Sequence, residues 1–541
     1  MDYDTIIIGS GLGGLTTAAT LSKKGKKVLV IEQHFIPGGC ATTFTRKGVT
    51  FEVGLHEMDM GTYKQDMKGL IFKKLGLDKT LPLIKLPELW RIKTNTQEYT
   101  VPEGRKNAKE YLKKMFPHEK RGIDRYFFDM WLTTYINHRF AHDMNPIQFL
   151  FSPIINLPIF IRNRIQNAST GEKLDKYIKD PALKNILDIN LAYYADDPYK
   201  FSWFYHSAAQ YSYYNSGTFI KGGSQVLSNQ LVDVLTQHGG EIIYNSEVKQ
   251  LLLDGKKVIG VSYYDKRKKE NISVYSKNVV ANCAPENIFG GNMVPKEIRE
   301  PKVDNLEPSS SLYTVYIIFK KKLSQLYKNM AYSTFIGDDD LLHKPLADVS
   351  EVFKKVPVEE RPFVLVDYST IDSGLVPDGD ERGFGVLCSI SNLAEWESLG
   401  KEDYKAKKEL LAKRLLERLE EHYPGITEQV EYFEVSTPKT IKRYIMTPAG
   451  TAYGYYQKGF APKTRAPRRA SQLKNLYFTG AWGFPGGGFT GAILSGYYCA
   501  LDMMFPSVAY VAIGTVIATL SCTALSKIIH YVIEYLKNGI F

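Results

Sequence analysis

Cysteine is scarce in this chain: five residues in 541, at Cys40, Cys283, Cys388, Cys499 and Cys522, with no CxxC pair among them. An odd, scattered set builds neither a disulfide framework nor a structural zinc or iron–sulfur site, so a reducing compartment and no metal are expected. Met1-Asp-Tyr-Asp4 lacks the basic start of a secretory signal. The Gly-x-Ser-x-Gly elbow of serine hydrolases and the HExxH pair of zinc proteases are both missing. Repeats and low-complexity tracts are absent too, and 44% hydrophobic against 23% charged residues is the composition of a packed globular protein.

Acidic residues are in deficit: 58 Asp and Glu against 69 Lys and Arg leave a formal charge of +11. That surplus favours nucleic acid, phosphate-bearing cofactors or acidic membrane surfaces. No zinc-finger spacing and no basic region feeding heptads occurs, and the basic cluster Lys463–Arg469 contains prolines that suit a loop, so no nucleic acid is expected. Long apolar runs are few. Ser507–Leu525 holds nineteen residues without a charge. At about 1.5 Å per helical residue it would reach about 28 Å, close to a hydrocarbon core of about 30 Å. Residues 506–541 are therefore expected to form a C-terminal hydrophobic helix that associates with a membrane. Pro146–Ile161 is apolar but broken by three prolines and followed by Arg162 and Arg164, which suits an interfacial cap rather than a spanning helix.

What is present begins near the N-terminus. Asp4–Ile8 is a short β-branched run of the kind that forms a buried parallel strand. Gly9-Ser-Gly11-Leu-Gly13-Gly14 follows, then helix formers from Leu15 to Lys24, a second strand over Lys27–Ile31, and Glu32. Gly9 permits the tight turn, Gly11 lets a pyrophosphate approach the backbone, and Gly14 lets helix and strand pack closely. The helix start offers unpaired N–H groups to phosphate, and Glu32 can accept hydrogen bonds from a ribose diol. The spacing predicts a dinucleotide site, and this motif alone fits FAD and NAD equally.

Three further stretches decide the cofactor by resemblance. After Glu32 come Gly38-Gly39-Cys40, Phe44 and Gly54-Leu55-His56, reading as a short hairpin that ends in Gly-x-His. In mid-chain, Gly217–Gly223 reads as a turn entering an amphipathic helix, followed by a strand through Val248, a hairpin at Gly255–Val261 and Val279–Pro285. Near the end, a strand closing at Gly480 leads into Ala481-Trp-Gly-Phe-Pro-Gly-Gly-Gly488-Phe-Thr-Gly491 and a helix. Together these resemble the phytoene desaturase, carotenoid isomerase and retinol saturase group of flavoproteins. The resemblance implies bound FAD, with Gly9, Gly11, Gly13, Gly14 and Glu32 on its dinucleotide half and Val248 against the adenine. It places Gly38, Gly39, Gly54 and His56 beside the flavin, and Gly480, Gly488 and Gly491 in the closing loop. Ala481 stands where many relatives carry an acid, so no acid is assigned to the ribityl contact.

The same resemblance sets the expectations for fold and function. It implies an α/β fold: a discontinuous Rossmann-type FAD-binding domain from residues 1–60, 215–295 and 435–505, with an α+β substrate domain inserted at 61–214 and 296–434. Thr437–Tyr444 and Gly450–Gly454 are similar to a segment that returns to the flavin beside the substrate tunnel, which marks Arg443, Tyr444 and Tyr453 as substrate-side residues. The aromatic run Phe201–Tyr214 suits the wall of a tunnel for a flat polyene. His56 is the candidate for proton transfer. The expected enzyme is an FAD-dependent oxidoreductase of a carotenoid- or retinoid-like lipid, acting by desaturation, isomerisation or saturation, with a non-catalytic flavin-bearing carrier as the alternative. No second dinucleotide fingerprint is seen, so a membrane quinone, oxygen or a separate donor is the expected electron partner. The expected location is a membrane surface, with the catalytic part in the cytoplasm.

Overall fold

The computed structural model describes residues 2–60, 67–141, 168–458 and 466–504. The expected C-terminal helix, the Pro146–Ile161 run, Cys522 and Lys463–Arg465 lie outside these described residues.

The β-branched strand Tyr3–Ile8 sits mid-sheet, paired in parallel with Val28–Ile31 on one side and Glu270–Ala281 on the other. Glu241–Ile243 and Leu476–Phe478 extend the parallel sheet at its two ends. Alternation sorts the side chains between two layers. Ile7, Val28, Val30 and Val280 pack under the helices Leu12–Ser22, Ser224–Gln237 and Gly488–Met504. Ile6, Ile8, Leu29 and Ile31 face the other way, onto Val248, Leu251 and Val261. Those belong to an antiparallel meander, Ser246–Asp254 with Lys257–Asp265, which continues into the first half of Glu270–Ala281. A parallel sheet covered on both faces explains why its strands read as unbroken apolar runs.

A second seven-stranded sheet runs Val430–Ser436, Ser311–Phe319, Gly383–Ser391, Phe363–Asp367, Ser333–Ile336, Glu88–Lys93 and Glu98–Pro102. Its pairs are antiparallel except Ser333–Ile336 with Glu88–Lys93. On Ser311–Phe319, Tyr313, Val315, Ile317 and Phe319 pack against Leu411, Leu415 and Leu419 of the helix Lys401–His422. The alternate residues Leu312, Thr314 and Tyr316 face the central cavity.

A small three-stranded sheet ties the two parts together: Gly217–Ile220 pairs with both Met58–Asp59 and Leu83–Lys85. Here the structure differs from the sequence reading, which put Gly217–Ile220 into a turn. Four residues opening on glycine are too short to show a strand period, and both partners come from distant chain. The hairpin Thr43–Arg46 with Val49–Glu52 likewise ends at Glu52, so Gly54–His56 continue as a bend. No helix among the described residues is long and apolar enough to cross a membrane.

Candidate functional site

The glycine-rich turns meet at Asn282, the first residue after the strand Glu270–Ala281. Its backbone N–H donates to Ile8 O (2.9 Å), and its side chain fills space that exists only because the neighbours lack side chains. A Cβ on Gly11 would stand 2.7 Å from Asn282 Nδ2, and one on Gly13 would stand 2.3 Å from Gly480 Cα. Gly14 packs the same way from behind, where a Cβ would fall 2.3 Å from Gly9 O. The paired glycines join this knot, since Gly38 N donates to Ser10 O at 2.9 Å and Gly38 bridges to Gly11. The closing helix packs on the opening one: Thr17 Oγ1 donates to Gly496 O (3.0 Å).

These contacts open onto one cavity of about 1870 Å³. Pockets for a single drug-sized ligand run about 300–1,000 Å³, so this space exceeds the need of one small molecule. Gly9, Gly11, Gly13, Glu32, Gly38, Gly39, Val248, Gly480, Gly488 and Gly491 line it, with His56, Tyr444 and Tyr453. Arg443 does not; its guanidinium lies over the Tyr444 ring, 5.6 Å from the centroid. Tyr444 itself is half exposed and stands edge-on to His34, near Glu32, while Tyr453 lies beside the Gly487–Gly488 turn. The three residues marked as substrate-side are therefore split between two ends of the cleft.

The chemistry of the donors fits a flavin dinucleotide. The helix Leu12–Ser22 has Gly11 at its N-cap and no side-chain cap, so its first N–H groups are left for an anion. The Glu32 carboxylate is held on the wall by Ser10 N (2.8 Å), Ser10 Oγ (2.6 Å) and His34 N (2.8 Å), with lone pairs to spare for a ribose. Cys40 also lines the cavity, and burial pushes its thiol up to about 11, which keeps it protonated and unreactive.

At the other end the wall is aromatic: Tyr193, Tyr194, Phe201, Phe204, Tyr205 and Tyr213, from the turn Ile189–Tyr193 onward and the helix Trp203–Asn215. His56 is buried there, and desolvation pulls its pKa down to about 4. Tyr368 donates its hydroxyl hydrogen to Leu55 O (2.9 Å), so its oxygen accepts from His56 Nδ1 (3.1 Å). The ring is then neutral, with its lone pair on Nε2.

Three site groups escaped the sequence reading. Asn282 carries no motif. Glu52, fully buried behind the hairpin, accepts from Gly54 N, Leu55 N and Ser224 N and so fixes the bend before His56. Glu57, next to His56, is buried on the cavity wall; its place beside a candidate residue was the one signal available. Among the described residues, no cluster of His, Cys, Asp and Glu is arranged to hold a metal.

Comparison with known proteins agrees with this geometry. The sequence pattern of the flavin-containing amine oxidoreductases matches residues 12–504. Similar curated proteins include a chloroplastic prolycopene isomerase of Arabidopsis thaliana, 28% identical over 92% of this chain and 82% of that protein. An all-trans-retinol 13,14-reductase of Danio rerio is 27% identical over 92% of this chain and 85% of that protein. Among solved structures, a redesigned putrescine oxidase superposes with a TM-score of 0.60 at 16% identity, covering 93% of this chain and 99% of that one, a likeness of fold.

Proposed function

The chain belongs to the family of flavin-containing amine oxidoreductases, and on that premise we propose that this FAD-dependent enzyme works on a long unsaturated lipid, a carotenoid- or retinoid-like polyene. The observation that carries the proposal is the continuity of the cavity: one space runs from Glu32 and Val248 to the aromatic wall around Tyr193 and Phe201. A polyene is flat, apolar and long, and an aromatic-walled extension of a flavin site suits it. Two relatives whose names denote polyene chemistry support the substrate class.

In this reading the glycine turn Gly9–Gly14 and the uncapped helix hold the pyrophosphate, Glu32 the ribose and Val248 the adenine. Gly38, Gly39 and the Gly480–Gly491 loop surround the flavin, which when bound takes or gives the two electrons. The first sheet carries the cofactor, and the described parts of 61–214 and 296–434 roof the lipid. Tyr453 stands where lipid and flavin meet, and Tyr444, backed by Arg443, forms the outer rim of the cleft. His56, neutral near pH 7, orients the reacting bond and accepts a proton through Nε2. The basic surplus and the uncharged Ser507–Leu525 run support a membrane surface as the source of the lipid, with quinone or oxygen as electron partner.

The test is anaerobic mixing of the oxidised or reduced flavoprotein with polyenes of known geometry, followed by product mass. Two hydrogens gained, two lost, or none with altered geometry would identify saturation, desaturation or isomerisation. Tight lipid binding with an unchanged flavin spectrum and unchanged lipid would replace the enzyme by a carrier.

A further inference from the structure

Five carboxyls line the cavity among the described residues: Glu32, Glu57, Asp59, Glu247 and Glu434. Four have partners. Glu32 is held by Ser10 and His34, Asp59 by Lys68 (3.1 Å), Glu247 by Lys249 (2.6 Å) and Glu434 by Arg46 (2.8 Å). Glu57 has none among the described residues, and its Oε1 is enclosed without a hydrogen-bond partner among them. The carboxyl fits against Gly217, where a Cβ would fall 2.1 Å from Oε1, and beside Leu86. Its remaining 9% exposure belongs to a residue of the cavity wall.

The groups facing it do not favour an anion. Asp59 follows on the same segment and Glu88 approaches from the start of Glu88–Lys93 in the second seven-stranded sheet, both repelling a negative charge. The nearby cations serve those two acids: Lys68 binds Asp59, and Arg91 acts on Glu88. The remaining neighbours are the neutral ring of His56 and the hydroxyls of Tyr193, Tyr213 and Tyr332. Burial first, and these acids second, push the Glu57 carboxyl well above the usual range. A carboxylic acid kept neutral in an apolar site is a proton held ready.

We propose that Glu57 is the catalytic acid, which gives its proton to one carbon of the reacting C=C bond. The proposal rests on the polyene reading above. In saturation, the second carbon takes hydride from the reduced cofactor. The Glu57 O–H bond and the C=C π bond break, two C–H bonds form, the cofactor is oxidised and is reduced again by a quinol or a separate electron donor, and water reprotonates the carboxylate. In isomerisation, the proton adds to one carbon of the C=C bond, that bond, now single, rotates in the resulting cation, and the same carboxylate takes the proton back, with no net redox. Desaturation begins with a base, and in that direction the neutral His56 ring is the acceptor; the resting carboxylic acid of Glu57 serves saturation and isomerisation. His56 complements it, since its ring at neutral pH holds a lone pair towards Nε2 and no surplus proton.

The experiment uses the full-length flavoprotein and Glu57→Gln, an isostere of the neutral acid. Infrared spectra in H2O and D2O, taken without lipid, should show a protonated-carboxyl carbonyl band near neutral pH that E57Q lacks. With polyene added, E57Q at wild-type flavin content should turn over about 10²–10⁴-fold more slowly and lose the alkaline limb of the pH–rate profile. A wild-type spectrum without the band, or E57Q turning over at the wild-type rate, overturns the proposal alone. Flavin-loaded wild type that alters no polyene overturns the substrate reading, and this proposal with it.

Discussion

Glu52 and Glu57 lie on one short segment, and both are out of water. Glu52 accepts bonds from three backbone N–H groups and from Ser224 Oγ, yet burial outweighs them and lifts it from 4.5 to about 7. Glu57, without any donor among the described residues, is likewise lifted well above 4.5. In each case the folded state keeps a proton that the unfolded chain has lost above pH 4.5. Stability therefore falls as pH rises above 4.5, in a window that closes near 7 for Glu52. Glu57→Gln cannot ionise. It is expected to match the wild type at about pH 4 and to be the more stable protein at about pH 8, as read from urea midpoints. Equal midpoints at the higher pH would mean that Glu57 ionises freely. Neither carboxyl was legible in the sequence as a buried acid, because the groups that strip them of water, Gly217 and the start of the helix at Ser224, lie far away in the chain. Gly9, Gly11 and Glu32 were legible because their demand is local: Gly9 sits at φ +90°, a backbone that L side chains avoid.

The glycine knot is the unit that matters among the elements. Opening helix, closing helix and the Asn282 turn approach so closely that three chain segments depend on missing side chains. Gly13→Ala would press a methyl group to 2.3 Å from Gly480 Cα, and Gly491→Ala would press one to 1.7 Å from Gly486 O. Both obstacles are backbone, which cannot rotate aside. Each variant is expected to lose bound flavin, seen as loss of visible absorbance in the purified protein, and about 1–3 kcal/mol of stability or more. Gly400→Ala is the control: its added methyl group meets nothing closer than Asp403 Oδ2 at 3.8 Å, and it should keep both flavin and fold. Retained flavin in G13A and G491A would separate the knot from the cofactor. The opening strand–helix–strand could be read ahead because its signals are contiguous. The second sheet could not: Glu88–Lys93 joins Ser333–Ile336 across more than two hundred residues, and periodicity in either strand says nothing of the other.

On the scale of the molecule, the question is how a lipid reaches the aromatic end of the cavity. The closing helix Gly488–Met504 lines the cavity as far as Tyr498, and its seventeen residues span about 25 Å. The uncharged run begins at Ser507, directly after it. If that run enters a bilayer, the cavity is tethered within one short helix of the lipid, and a polyene need cross little water. A formal charge of +11 adds attraction to acidic headgroups. The two contributions separate by salt. At about 1 M salt the Debye length is about 3 Å, and surface attraction is largely screened, while apolar insertion is not. The full chain is therefore expected to stay in the membrane fraction through a wash of about 1 M salt. A chain ending at Pro506 should keep its flavin and its activity on detergent-dispersed polyene but leave the membrane in that wash. Were the truncated chain to sediment with membranes as before, the uncharged run would not be the anchor, and the surface of the folded part would have to hold the bilayer by itself.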